Sequence, residues 1–441
     1  MKEIPIVELS ETFQDAITIT RRLCLKYGIR HLWVDSLCIL QDSEEEWRAE
    51  APRMAEIYGN CWCNIAATGD GSSSIQSRGM FSLRDTEMLR PLLVSVSLPS
   101  TISNFICFDS ERWTDFVRNS SLNKRAWVCQ ERLLSPRILH FGANEIYWEC
   151  STCRASETFP TGEPFINFYN NGASETLVRA QSEITNLTEA RDAWLDMVAV
   201  FTMGGLTRSS DKLFAIAGLA RIFQPKFGGS EYLAGIWRTD LERQLLWRVE
   251  GMGIASRSRE YRAPSWCWAS IDGPIWSGWA PSGGEILIKT LDVSINLSST
   301  DPFGPVDAGV LRIQCRLLKG RAAKDARYFP GLKLDTDESL NEIAFHPDEN
   351  LSPDSSMYSS LFIVPVSLEE MIYDEDDNGY NLQGLVFEPT RLAQGQYRRV
   401  GSFTTTITKE VEAIMKGGLP ELAESEYEAF DGSEIFTISI V

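Results

Sequence analysis

The chain reads as an α/β protein: a partly parallel sheet flanked by helices, then a helical region, then a β-rich C-terminal region. Three observations predict this. Helical and strand-like stretches alternate over the first 70 residues, an order that favours parallel pairing with helices on the sheet faces. From about 186 to 250 the apolar residues recur at helical spacing. Beyond Pro264 short alternating runs take over. A chain of 441 residues is long enough for two or three domains, and these shifts place them at 1–160, 161–280 and 281–441.

In chain order, Phe13, Ala16, Ile17, Thr20, Leu23 and Cys24 define a helix over 11–27 that stops at Gly28. Residues 30–35 read as a buried strand ending on Asp35. Ser43-Glu44-Glu45-Glu46 is a capping-box pattern, with Glu46 reaching back to the Ser43 amide. The helix it opens carries Trp47, Ala51, Met54, Ile57 and Tyr58, and Pro52 inside the pattern either kinks it or moves its start later. Cys61 to Ala67 is a second strand, 69–74 a loop, and 91–96 and 105–108 are further short strands. Asn123 is placed to cap a helix through Trp127, Gln130, Leu133 and Leu134, ended by Ser135-Pro136. A hairpin over 138–141 and 146–150 follows, then a linker near 156–175. Helices are expected around Trp194, Val198 and Phe201, from Ser210 through Ala220, and from Leu241 through Val249. Trp266, Trp268, Trp276 and Trp279 suit the packing of a loop-rich junction better than a stacking surface. Alternating runs at 285–291, 310–318, 360–366, 384–387 and 436–441 read as strands, and 374–377 as an acidic loop.

Two segments carry chemistry. In open α/β sheets ligands bind beyond the carboxyl ends of strands. Asp35, with Cys38, Gln41 and Asp42 in the turn behind it, would offer a ligand a carboxylate, a thiol and an amide within one loop. The plainer role for Asp35 and Asp42 is to satisfy backbone amides at turns. In Arg125-Ala126-Trp127-Val128-Cys129-Gln130-Glu131-Arg132, helical geometry sets Arg125 beside Cys129 and Trp127 beside Gln130 and Glu131. Trp127 then packs inward while Gln130 and Glu131 project from one edge. Glu131 suits general acid/base work or a ribose-like hydroxyl, against the plainer reading of a solvated charged face.

Composition narrows the classes. A formal net charge of -19 argues against a general nucleic-acid binder. No signal peptide and no apolar stretch long enough for a membrane span are found, so a reduced, cytoplasmic protein is expected. Cys150-Ser151-Thr152-Cys153 and Cys61-Trp62-Cys63 invite a metal or redox reading, but a structural zinc site needs four ligands. With only three histidines, none spaced as a ligand pair, no metal is assigned and incidental buried thiols are expected. The same scarcity disfavours a Ser-His-Asp or Cys-His hydrolase while leaving one built on His140 open, and neither a P-loop nor a dinucleotide fingerprint is present.

Leu32-Trp33-Val34-Asp35-Ser36-Leu37-Cys38-Ile39-Leu40-Gln41-Asp42 resembles the central motif of the fungal heterokaryon incompatibility (HET) domain. Arg125 to Arg137, followed by Leu139-His140-Phe141 and Tyr147-Trp148-Glu149-Cys150, resembles its later motif, with Val128-Cys129 in place of the commoner Thr-Leu. Ser209 to Ala220 and Arg262 to Ser270 are similar to segments that follow the domain in filamentous-fungal proteins, and Tyr397-Arg398-Arg399-Val400-Gly401 is also familiar. The usual opening Ser-Tyr-x-Trp-Gly-like strand is not found ahead of residue 11, which suggests an N-terminally shortened member.

The resemblance implies a role in non-self recognition and programmed cell death, through an incompatibility partner or self-association. It also implies a fold like Toll/interleukin-1 receptor (TIR) domains, some of which hydrolyse NAD through a Glu. On that likeness Glu131 is the catalytic candidate, Asp35, Cys38, Gln41, Arg125, Trp127 and Gln130 would line the pocket, and NAD enters only as a possible substrate. A third implied role is accessory protein of a secondary-metabolite cluster.

Overall fold

A computed structural model describes residues 4–69, 79–81, 87, 89–98, 101–164, 184–251, 255–276, 283–323, 330–336, 343–349, 360–374 and 377–441. Residues 70–74 of the expected loop, 165–175 of the linker, Trp279, and 375–376 of the acidic loop lie outside these. The chain divides into two compact units, residues 1–178 with 204–206, and residues 179–203 with 207–441. The architecture is mixed α/β, with a partly parallel sheet in the first unit and a β-rich C-terminal region containing a barrel.

In the first unit, α1 (Glu11–Tyr27) starts at Ser10, whose hydroxyl accepts from the Phe13 amide, and stops at Gly28. Gly28 has φ +72°, a left-handed conformation that favours glycine. Ala16 and Ile19 are its buried residues, and they join Met80 and Phe141 in the local core, with Leu32, Ile65 and Leu139 packed against it.

The expected strand over 30–35 does not form. Val34 is extended, but Asp35–Cys38 is a single helical turn, α2. The Leu37 and Cys38 amides donate to the Val34 carbonyl, and the Ser36 amide to Asp35 Oδ1 at 2.7 Å. These local bonds turn the chain before a ladder can be joined.

The capping box forms by half: Ser43 Oγ accepts from the Glu46 amide, but Glu46 Oε1 takes the Leu40 amide rather than that of Ser43. Helix α3 (Glu44–Glu50) gives way at Pro52 to a short 3-10 turn, and α4 (Met54–Gly59) follows.

Strand β1 (Asn64–Ala66) pairs in parallel with β4 (Arg137–Phe141), which continues antiparallel into β5 (Ile146–Cys150) and β6 (Arg154–Ser156). Strands β2 (Leu92–Leu98) and β3 (Thr101–Cys107) form a separate hairpin. Helix α5 (Ala126–Leu134) precedes β4. Asn123 does not cap it: its side chain donates to the Val117 carbonyl from within a 3-10 turn, and Arg125 holds the cap position.

In the second unit, Asn186 caps α6 (Leu187–Thr202) by accepting from the Glu189 amide at 2.9 Å. Helix α7 (Lys212–Phe223) is buried almost all round, as its apolar sequence requires. The Trp194 and Trp268 indoles both donate to the Gly235 carbonyl, at 3.0 and 2.8 Å. Gly235 has φ +120°, and a Cβ there would lie 2.8 Å from the Trp268 indole nitrogen. Trp266 and Trp268 are fully buried, whereas Trp276 is half-buried beneath the Arg248 guanidinium.

The helix expected through Val249 is one turn, α8 (Leu241–Gln244). The Leu245 and Trp247 carbonyls, which a longer helix would use, accept from buried Arg399 instead. Six strands close an antiparallel barrel in the order Leu361–Asp374, Leu318–Ala323, Gly331–Leu334, Ile343–Pro347, Gln396–Thr405, Asp377–Pro389 and back to the first. Leu332, Phe345, Ile363 and Phe403 fill its core, joined by Val411 and Ile414 of α9 (Thr408–Lys416).

Candidate functional site

The candidate site sits where α2, α4 and α5 converge. The α5 N-terminus is set by a short parallel bridge: the Ala126 amide donates to the Gly205 carbonyl at 2.9 Å, and the Gly205 amide to that of Lys124 at 2.7 Å. About a turn and a half along, Glu131 faces α4, and the Tyr58 hydroxyl donates to its Oε2 at 2.9 Å. Trp33 packs edge-on against the Tyr58 ring, with centroids 5.7 Å apart. The Glu131 carbonyl accepts from Ser135 Oγ at 2.6 Å and from Asn64 Nδ2 at 3.4 Å, which ties this turn of α5 to β1.

Burial raises the proton affinity of the Glu131 carboxyl. The Tyr58 hydroxyl opposes this, the Asp35 carboxylate reinforces it, and Arg125 opposes it again; the balance is a pKa of about 7. Burial, then the Glu131 and Asp35 charges, push the Tyr58 phenol far above its ordinary range. Tyr58 therefore stays a neutral donor, and Glu131 is poised to gain or lose a proton near neutrality.

Of the residues the sequence singled out, the structure brings Asp35, Arg125 and Glu131 within electrostatic reach of one another. Arg125 is exposed at the start of α5. Gln130 lies on the buried face, 1% exposed, away from the half-exposed edge expected for it beside Glu131. Consecutive helical residues point about 100° apart, so Gln130 and Glu131 meet different neighbours. Trp127 is half-buried, edge-on to Trp47 at 6.1 Å. Cys38 is exposed, and the Gln41 amide donates to the Asp35 and Ile39 carbonyls. Asp35 also serves its own turn through the Ser36 amide, so the plainer role holds alongside its place near Glu131.

The sequence patterns place Tyr58 on the apolar face of its helix, offer His140 only as the base of a hydrolase, and assign no role to Arg132 or Glu149. Glu149 is buried at 3% exposure, and Arg132 of α5 grips it with a fork of bonds at 2.7 and 3.0 Å. His140 Nε2 lies 3.1 Å from the same carboxylate. Burial disfavours the Glu149 charge, but Arg132 and His140 more than offset it and hold the pKa well below the ordinary carboxylate value. Burial lowers the proton affinity of His140 in turn. The spacing between positions 132 and 149 gives no hint of this pair, because the β4–β5 hairpin makes it. The expectation of buried thiols is corrected: Cys153 is exposed, and Cys150, Cys61 and Cys63 are half-buried. Among the described residues, no group of three or more His, Cys, Asp or Glu side chains is placed to hold a metal ion.

A mixed α/β unit with a half-buried carboxyl between two helices defines only a broad class. The family comparison is more specific: residues 1–131, from the N-terminus into α5, match the family model described as Heterokaryon incompatibility protein (HET). Over this segment the chain is similar to HET domains, consistent with a member of the heterokaryon incompatibility domain family. No curated protein and no solved structure matches the chain. No helix of the described residues is long and apolar enough to cross a membrane.

Proposed function

We propose that the chain is an intracellular effector of non-self recognition in a fungus, triggering cell death through contacts of its HET domain with an incompatibility partner or with a second copy. The observation that carries this reading is the HET match over the segment that holds Asp35, Tyr58 and Glu131. Contact-driven action is supported by the β2–β3 hairpin, which exposes Leu92, Leu93, Phe105 and Ile106 to solvent. Exposed apolar strands of this kind pair readily with other chains.

A second reading is favoured by the Glu131 geometry: a TIR-like hydrolase of NAD. A carboxyl with a pKa of about 7, held by a neutral phenol, can accept a ribose hydroxyl or steady the positive charge that develops as a glycosidic bond breaks.

Expression in a fungal host, with viability and NAD followed together, tests both. Death with NAD falling, abolished by Glu131→Gln, selects the hydrolase. Death with NAD intact and insensitive to Glu131→Gln selects contact-driven action. Growth unaffected, with an altered metabolite profile, overturns both in favour of an accessory role in secondary metabolism.

A further inference from the structure

The β5–β6 hairpin carries a pair of thiols that neither reading of the HET site uses. Tyr147, Trp148 and Glu149 lie opposite Ser156, Ala155 and Arg154, so the next opposed pair is Cys150 and Cys153, separated only by Ser151 and Thr152. The Cys150 amide donates to the Cys153 carbonyl at 3.0 Å, which holds the two residues opposite each other at the end of the hairpin. Opposed residues of antiparallel strands have Cα separations of about 4.5–5.5 Å, within the range a disulfide spans. The sulfurs are already in contact, with Sγ to Sγ at 3.7 Å. Ser151, Thr152 and Cys153 are all exposed, so a small molecule can reach the pair from solvent.

The two thiols are not equivalent. Cys150 Sγ lies 3.3 Å from Thr152 Oγ1. Partial burial works against the Cys150 thiolate, but hydrogen bonds from the Thr152 side chain and from the Thr152 and Cys153 backbone outweigh it and bring the pKa down to about 7. At Cys153 burial and the bond to Cys150 push the thiol the other way. One sulfur is set to attack and the other to resolve.

We propose that Cys150 and Cys153 form a redox-active dithiol that exchanges with the disulfide of a small cellular thiol. The Cys150 thiolate attacks one sulfur of the small disulfide, whose S–S bond breaks and releases one thiolate. Cys153 gives up its proton and attacks the Cys150 sulfur of the mixed disulfide, expelling the second thiolate. The two cysteines are oxidised to one disulfide, the small disulfide is reduced to two thiols, and the two cysteine protons end on those thiols.

The test uses the full chain, reduced and then equilibrated with glutathione and glutathione disulfide at graded ratios, with alkylation and peptide mapping. The expected result is a peptide containing residues 150–153 that loses two hydrogens as the ratio becomes oxidising. Cys153→Ser should arrest at a mixed disulfide on Cys150, and Cys150→Ser should give no such adduct at Cys153. Alkylation of Cys150 should be half-maximal near pH 7, and Thr152→Val should move that midpoint upward, a readout that does not depend on turnover. Three outcomes would each overturn the proposal: both cysteines fully alkylated at every ratio, adducts formed equally at exposed Cys38 and Cys107, or a midpoint unmoved by Thr152→Val.

Discussion

At the scale of single residues, the behaviour of Glu131 is set by neighbours with opposing effects. The Tyr58 hydroxyl and Arg125 lower its proton affinity, while burial and Asp35 raise it. Tyr58→Phe should therefore push the Glu131 pKa above about 7, and Asp35→Asn should pull it below. Carbon-13 spectra of labelled glutamate carboxyls would follow both, and shifts in one common direction would refute the arrangement. Stability follows the same group. Its folded-state pKa of about 7 exceeds the ordinary 4.5, so its contribution is full below pH 4.5 and is lost as pH rises through about 7. That contribution is on the order of 3 kcal/mol. Glu131→Gln should flatten this part of the stability–pH curve.

At the scale of elements, what positions Glu131 is the clamp between α5 and β5. Arg132 is one residue along from Glu131, and its guanidinium bonds to Glu149 through both Nε and Nη2. Bidentate geometry fixes orientation as well as distance. Glu149→Gln leaves a buried guanidinium without its counter-charge, which should cost about 3–5 kcal/mol. Adding Arg132→Met should recover part of that loss, because the stranded charge goes with it. Chemical denaturation of the two single variants and the double variant checks this, and strictly additive losses would show that the pair is not coupled.

At the scale of the whole molecule, each unit has its own core: Ala16, Ile19, Met80 and Phe141 in one, and the barrel interior with α9 in the other. Ile414 is fully buried where α9 joins the barrel core. Ile414→Ala removes most of an apolar side chain there and should destabilise the second unit by about 2–5 kcal/mol. The Glu131 titration, which belongs to the first unit, should be unchanged. Heat capacity scans paired with the carboxyl spectra would show it, and a displaced Glu131 titration would contradict separate cores.

The sequence alone determined what depends on near neighbours along the chain. Periodicity and Gly28 defined α1, Pro52 divided the following helix, and the 138–150 pattern defined the β4–β5 hairpin. Two long motifs identified the HET segment before any fold was known, and Asp35 and Glu131 were singled out within them. Tertiary structure decided the rest. The strand expected at 30–35 turned into a helical turn because the Asp35 side chain and the Val34 carbonyl satisfied the local amides first. Tyr58 became a partner of Glu131, and Glu149 of Arg132, across 73 and 17 residues, separations that no periodicity encodes. A side chain's proton affinity follows from what the fold brings against it, and for Glu131 and Glu149 that was legible only once the chain had closed on itself.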